Sequence, residues 1–475
     1  MILLPHMKGK TVAVFGLGRT GLSVVQSLCK SGAQVLAWDD AEGARDALAS
    51  ETDLTAPASW RWDDIHVLVL SPGVPLTHPE PHPIVQAAQN ANVPVVSDME
   101  LFIQALGEKG ARAAPVIAVT GTNGKSTTVA LIGHLLARAG FSPQVGGNIG
   151  KPVLDLKPPA HKRVYVLEVS SYQIDLTPSL APDVGVLLNI APDHLERHGG
   201  FEGYAAVKRH LFNNQQAEDT AIISVDDEPC ATICAELKLA HMEHAGANVV
   251  PLMIGSNLGQ GVYVTAGRLV DGNSDPAFEV ADLAESSTLR GAHNWQNAAA
   301  AYAAARAVGA ELGPISEALF SFPGLAHRQE LVAALDGVLY VNDSKATNAQ
   351  AAAKALSAFE NIYWIAGGRA KEGGLEALEG GLSHVTKAYF IGEAAEAFST
   401  ALKEKVDCVI AETLDLAVSL ASEDAAAAGT PGAVVLLSPA CASFDQFTDF
   451  EARGEAFRAA VGHPALGAAA EGAQA

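Results

Sequence analysis

One segment, VIAVTGTNGKSTTVALIGHLL starting at Val116, restricts what this chain can fold into. A short apolar run of strand type leads into a glycine-rich turn. The turn opens a helix at Lys-Ser-Thr whose apolar periodicity runs to Gly140. Strand, turn and helix in this order make a phosphate-binding loop on an open parallel sheet, because the helix start presents backbone N–H groups and the positive end of its dipole. The spacing is a variant. The usual G-x-x-x-x-G-K-[ST] pattern would place its first glycine at position 119, where Val119 stands, and the nearest glycine is Gly121. The cradle is therefore Gly121, Thr122, Asn123, Gly124, Lys125, Ser126 and Thr127. In it Lys125 is expected to reach the outer phosphates of a nucleotide, and the Ser126 hydroxyl to ligate Mg2+. The alternative is a Gly-Asn turn capped by Ser and Thr, with no ligand.

A chain of 475 residues is too long for one core. Strand-like and helix-like stretches alternate along it, which is the signature of α/β domains. Three blocks are expected: 1–108, 109–323 and 324–475, with the last boundary at FPGLAHRQE. The first and third read as Rossmann-like, and the second as a P-loop-type ATPase domain on a parallel sheet. Runs such as VGVLLNI and AVVLLSPA are too short to span a bilayer and suit buried strands. A net charge of −22 with no basic run excludes nucleic acid and acidic membranes as partners, so anions must be met locally. The five cysteines are scattered and read as reduced thiols in a cytoplasm. Cys230 and Cys234 have helical spacing, but no second Cys or His pair completes a zinc site.

A second glycine motif follows the strand TVAVF: Gly16, Gly18 and Gly21 match G-x-G-x-x-G, and Asp39 and Asp40 end the next strand. Alone this suggests a dinucleotide, with the acid on a ribose. The same geometry makes a helix start that binds any diphosphate. A tight turn with no ligand remains the plain alternative.

Two nucleotide-type sites, three α/β blocks and the shortened G-T-N-G-K-S-T loop together resemble the Mur ligases, ATP-dependent amide-forming enzymes of peptidoglycan synthesis. GNIG from Gly147 and APDHLERHGG from Ala191 agree. In the third block, NDSKATN (Asn342–Asn348) and LLSPACASFDQF (Leu436–Phe447) resemble the branch of the family that adds D-glutamate to UDP-N-acetylmuramoyl-L-alanine. The resemblance covers essentially the whole chain. It implies ATP, that UDP-linked substrate and D-glutamate as partners, two Mg2+ sites, and a cytoplasmic monomer with no membrane insertion.

The resemblance also implies roles for residues. Arg19, Thr20 and Gly73 would meet the diphosphate-sugar region, Asp39 the uridine end, and Asn148 the substrate near the junction of the first two blocks. After Asp39 this chain reads Asp40-Ala41 where the family pattern continues Thr-Arg, so an arginine contact is missing or comes from elsewhere. Glu168 and His194 follow apolar strands and would be metal ligands with Ser126. Lys208 would carry CO2 as a carbamate and ligate the second metal, although its neighbourhood beside Arg209 reads as a solvated helix face. Asn297 would lie against ATP, while Asn294 suits an N-cap equally well. Arg328 and Asp343 would reach the nucleotide, with the pocket completed by domain closure. Lys345, Thr347, Lys371, Ser443, Phe444 and Phe450 would hold D-glutamate. The Lys371 loop reads GGRAKEGG where the family pattern is G-G-D-G-K-S-like, and Phe444 replaces a leucine. Cys441 reads as structural, because its motif contains no His partner.

The chemistry implied is activation of a carboxylate as an acyl phosphate, followed by amine attack. Lys125 would be catalytic, and His194 or Asp343 would take the amine proton. Two alternatives differ in kind. A sister ligase such as folylpolyglutamate synthetase lacks the first glycine motif. A nucleotide-sensing protein would bind NAD and turn over no ATP in response to an amino acid.

Overall fold

Nineteen strands assemble into three sheets in the computed structural model, which describes residues 1–46, 54–107, 112–243, 246–286, 288–370 and 375–462. The first sheet holds β1 (Thr11–Phe15), β2 (Gln34–Trp38), β3 (Ile65–Leu70) and β4 (Val95–Val96) in the order β2-β1-β3-β4, all parallel. The second holds β5 (Val116–Thr120), β6 (Ser142–Gly147), β7 (Arg163–Glu168), β8 (Val184–Leu187), β9 (Thr220–Ser224), β10 (Asn248–Ile254), β11 (Val262–Thr265), β12 (Arg268–Asp271) and β13 (Phe278–Asp282). Its order is β13-β12-β11-β10-β9-β8-β5-β7-β6. The third holds β14 (Glu330–Leu335), β15 (Val338–Asn342), β16 (Ile362–Gly367), β17 (Val385–Ile391), β18 (Cys408–Glu412) and β19 (Val434–Leu437), ordered β14-β15-β19-β16-β17-β18.

The central strands are apolar along their whole length because helices cover both faces of each sheet. Every residue of β5, β8, β16 and β19 is buried. On the third sheet the alternating sides feed two cores: Trp364, Phe390 and Leu436 on one face, Tyr363, Tyr389 and Val435 on the other.

The central sheet departs from the all-parallel expectation at one end. β12 runs antiparallel to both of its neighbours, β11 and β13. Between the paired residues Thr265 and Arg268 lie only Ala266 (φ 50°) and Gly267 (φ 82°). Two consecutive left-handed residues make the tight turn whose twist matches a hairpin. Asp336 (φ 50°) and Gly337 (φ 81°) do the same between β14 and β15, the antiparallel edge of the third sheet.

By internal contacts the chain forms two units. One comprises Met1–Glu285 with Asn294–Ser321; the other comprises Ser286–His293 with the chain from Phe322 onward. The first two sheets belong to the first unit and share a core. Among the described residues no helix is long and apolar enough to cross a membrane.

Candidate active site

The loop after β5 lies at the C-terminal ends of β5, β7 and β8, where open α/β sheets hold their ligands. Gly124 caps the helix Lys125–Arg138 with φ 87°, and a Cβ there would collide with Asn297 Oδ1. Asn297 Oδ1 also accepts from Thr128 Oγ1 at 3.1 Å. Asn297 is thus packed against the loop, and only glycine fits at 124. Two loop amides are already engaged: Thr122 N donates to Asn189 O (2.9 Å) and Asn123 N to Asn189 Oδ1 (2.8 Å). Gly124 to Thr127 form the helix start, whose N–H groups have no intrahelical acceptor and can face phosphate. Lys125 Nζ folds back onto the carbonyls of Gly121 and Thr122, each at 2.8 Å, which places a cation inside the cradle.

Beneath this loop sits Lys208. The helix Phe201–Arg209 turns it inward, and it is only 1% exposed. The solvated-face reading of its sequence neighbourhood is thereby corrected: the helix packs against the helices Ser171–Asp175 and Leu195–His198, and its buried residues are Tyr204 and Lys208. Its Nζ donates to Gly121 O (3.0 Å) and Thr120 Oγ1 (3.3 Å) and lies 4.6 Å from the Tyr204 ring centre. Burial, followed by the charge of Lys125, lowers its pKa from 10.5 to about 7. An amine at this value is half neutral near pH 7, which an exposed lysine never is.

Glu168 ends β7 almost fully buried, at 2% exposure. Asn148 Nδ2 donates to its Oε1 (2.8 Å), and its Oε2 has no hydrogen-bond partner among the described residues. A buried carboxylate oxygen left unsatisfied is costly unless something absent from the protein itself completes it. Together with the buried Ser126 hydroxyl it offers hard oxygen donors of the kind Mg2+ takes. His194 is exposed and left-handed (φ 52°); its ring lies 5.1 Å from that of Tyr172, and its Nε2 is 3.5 Å from Asp193 Oδ2. No three His, Cys, Asp or Glu side chains among the described residues already form a metal-holding cluster.

Sequence reasoning missed several neighbours. His198, buried and bonded to Ser171 Oγ (2.9 Å), is pushed down to about 4 by burial and by the charges of Lys208, His194 and Arg197. Arg197 lies over Tyr172 and donates to Gly73 O and Val74 O, both at 3.0 Å, which ties the His194 segment to the first block. Asn189 and Tyr204, which bond the loop, carry no motif in the sequence.

At the first sheet Arg19 opens the helix Arg19–Lys30, exposed, with Thr20 half-buried beside it. Gly16 must be glycine: it has φ 97°, and a Cβ would collide with Ser71. The Asp39 carboxylate is occupied by the turn itself, accepting from Leu17 N (2.6 Å) and Ala41 N (2.8 Å). Arg45 lies over Trp38 and donates to the carbonyls of Asp39 (2.7 Å) and Asp40 (3.0 Å). A cavity of about 540 Å³ opens here, lined by Phe15, Trp38, Asp40, Trp60, Trp62 and His82 among others.

In the second unit Asp343 is buried, and accepts from Ser438 Oγ (2.8 Å) and Gln329 N (3.1 Å). Burial raises its pKa to about 7, against smaller opposing effects that include the Arg328 charge. Lys345 Nζ stands 3.6 Å over the Phe450 ring. Thr347 is half-buried, Ser443 is buried, and Phe444 is 63% exposed. Lys371 lies outside the described residues. Asn294 is not an N-cap. The helix begins at Ala292, and Asn294 Oδ1 instead accepts from Asn297 Nδ2 (3.2 Å). Cys441 is buried with its thiol pushed up to about 12 by burial, consistent with a structural role.

Fold and loop define an α/β protein of the phosphate-loop class, with a buried acid and a buried lysine beside that loop. Three family descriptions match it: the MurD-like N-terminal domain over residues 10–97, the Mur ligase middle domain over 119–305, and the Mur ligase glutamate ligase domain over 327–441. The UDP-N-acetylmuramoylalanine–D-glutamate ligase of Caulobacter vibrioides NA1000 is 53% identical over 466 residues, 97% of each chain. The relative of the same name from Phenylobacterium zucineum is 51% identical over 97% of this chain and 98% of its own. Among solved structures, a UDP-N-acetylmuramate–alanine ligase from Thermotoga maritima shares the fold at 17% identity, with a TM-score of 0.56 over 94% of this chain and 98% of that one. A MurF ligase from Thermotoga maritima in complex with ADP gives 0.55 at 17% identity over 97% of both. The chain belongs to the Mur ligase family.

Proposed function

We propose that this chain is an ATP-dependent ligase that joins D-glutamate to UDP-N-acetylmuramoyl-L-alanine, releasing ADP and phosphate, in peptidoglycan precursor synthesis. The geometric observation that carries the chemistry is the buried, readily neutralised Lys208 directly under the phosphate loop, on the carbonyl of Gly121. The full-length relatives named for the D-glutamate reaction support the substrates.

A carboxylate carbon is a poor electrophile, so the L-alanyl carboxylate must first be activated. One of its oxygens attacks the γ-phosphorus of ATP, the bond to the bridging oxygen breaks, and ADP leaves. Lys125 and the helix-start amides from Gly124 to Thr127 neutralise the charge that accumulates on the phosphoryl oxygens. The amine of D-glutamate then attacks the acyl phosphate, and the tetrahedral intermediate expels phosphate to leave the amide. Asp343, held near 7 by burial, is suited to take the proton the amine gives up.

Bound Mg2+ would be held by Ser126, Glu168, His194 and a carbamylated Lys208, and would supply charge compensation where ATP and a carboxylate meet. The neutral Lys208 amine adds to the carbon of CO2 and loses a proton, which turns a buried cation into an anionic oxygen donor. In the first block Asp39, the helix start at Arg19 and Thr20, and the aromatic cavity would receive the UDP end. Arg45 would supply the guanidinium that the Asp40-Ala41 sequence lacks. Residues 1–108 thus serve the UDP substrate, 109–323 serve ATP, and 324–475 serve the amino acid, in a cytoplasmic monomer. Phosphate release measured with ATP, Mg2+ and the UDP substrate tests this reading: it should require D-glutamate and fail with L-glutamate. Equal use of both isomers would overturn it.

A further inference from the structure

The second unit carries a cation that the chemistry above does not use. Arg453, in the helix Phe450–Val461, is 1% exposed. Its Nε donates to Ser344 Oγ (3.0 Å), and its Nη2 donates to Ser344 O (2.9 Å) and Cys441 O (3.0 Å). All three acceptors are neutral. Nη1 has no partner among the described residues, and it lies 3.2 Å from where a Cβ on Gly368 would stand. The charge of Asp445 acts on it without a hydrogen bond between them, and Asp445 Oδ2 accepts from Glu393 N (3.0 Å). A buried guanidinium with no carboxylate bonded to it and one arm unsatisfied is a poor way to stabilise a fold.

Its position supplies a reason. Ser344 and Cys441 lie in the loops that follow β15 and β19, and Gly368 follows β16, so Arg453 lies under three loops at the C-terminal ends of the third sheet. Ser344 precedes Lys345 and Thr347, and Cys441 stands two residues before Ser443. Ser344 Oγ also donates to Phe450 O (2.8 Å), which closes the ring back onto the arginine's own helix. Arg369 N donates to Ala442 O (2.9 Å) and Ala442 N to Arg369 O (3.0 Å), so the β16 and β19 loops are pinned to each other above it.

We propose that Arg453 is a positioning residue of the amino-acid subsite: its three hydrogen bonds set the loops that carry Lys345, Thr347 and Ser443, and its charge, bonded to no carboxylate, favours a dicarboxylate there. The proposal rests on the assignment of D-glutamate to this unit. The incoming dicarboxylate adds to the counter-charge of Asp445, so the cation acts on amino-acid affinity and leaves ATP and UDP-substrate affinity alone.

The test uses the full chain with Arg453→Met, which keeps the apolar stem, and Arg453→Lys, which keeps the charge but cannot span three acceptors. KM for D-glutamate, ATP and the UDP substrate is measured for each by phosphate release. For Arg453→Met, KM for D-glutamate should rise on the order of ten- to hundredfold, as the loss of hydrogen bonds to a charged group does, while the other two constants stay within about twofold. Arg453→Lys should fall between this variant and wild type. Should Arg453→Met fail to fold, Arg453→Lys decides alone. An unchanged KM for D-glutamate, or an equal rise in all three constants, overturns the proposal. A wild-type enzyme that releases phosphate without D-glutamate instead overturns the functional reading beneath it.

Discussion

Replacing Lys208 by methionine separates chemistry from folding. Methionine keeps the length and packing of the buried side chain and removes the amine. Because burial lowers the amine's pKa from 10.5 to about 7, holding the charged form in the folded protein costs about 5 kcal/mol relative to the unfolded chain. The folded pKa lies below the unfolded one, so the native state binds fewer protons between pH 7 and 10.5. Wild-type stability should therefore rise with pH across that window, and the variant should lack the rise. The variant loses hydrogen bonds to Thr120 Oγ1 and Gly121 O, worth about 1 kcal/mol each, and Gly121 O keeps its bond from Lys125. The balance favours a Lys208→Met protein at least as stable as wild type at pH 7. Its turnover should nevertheless fall on the order of 10²- to 10³-fold, the usual loss when a preorganised charge-stabilising group is removed. Added bicarbonate should stimulate the wild type and leave the variant indifferent. The assays are kcat for phosphate release and urea unfolding at pH 7 and 9. Normal turnover would refute the carbamate; a loss of several kcal/mol would make Lys208 a structural residue.

Other expectations follow from the same geometry. Lys125→Ala should abolish phosphate release without loss of fold, since Lys125 is the cation held in the cradle; near-normal turnover would remove it from the site. Gly124→Ala should destabilise the protein by about 1–3 kcal/mol, because it forces a side chain into left-handed backbone against Asn297; a neutral effect in thermal unfolding would mean that the contact yields easily. The raised pKa of Asp343 means that the native state holds an extra proton between about pH 4 and 7, so stability contributed there is lost as pH rises through 7. Asp343→Asn should flatten that fall in a pH series of unfolding curves, and an unchanged slope would show that Asp343 is not the group responsible.

The phosphate loop was legible because its strand, turn and helix are local, and so was the apolar character of β5, β8 and β19. The Gly124 requirement could be suspected, but not its cause, since Asn297 arrives from more than 160 residues away. Lys208 was illegible as a buried group because Arg209 and His210 beside it are polar, and only tertiary packing turns the helix face. The same holds for Arg453, which sits in a helix rich in charged residues. Asp39 was read as a ligand contact, whereas the structure shows it first satisfying the turn at Leu17 and Ala41. The Asp336-Gly337 dipeptide between β14 and β15 is itself a hairpin signal carried by the sequence.

The proposed reaction turns on which atom attacks ATP. The UDP substrate, labelled with ¹⁸O in its L-alanyl carboxylate, is turned over with D-glutamate, and the released phosphate is analysed by mass. An acyl phosphate predicts one labelled oxygen in the phosphate for each amide formed. Phosphate free of label, with its fourth oxygen drawn from water, would contradict carboxylate activation outright.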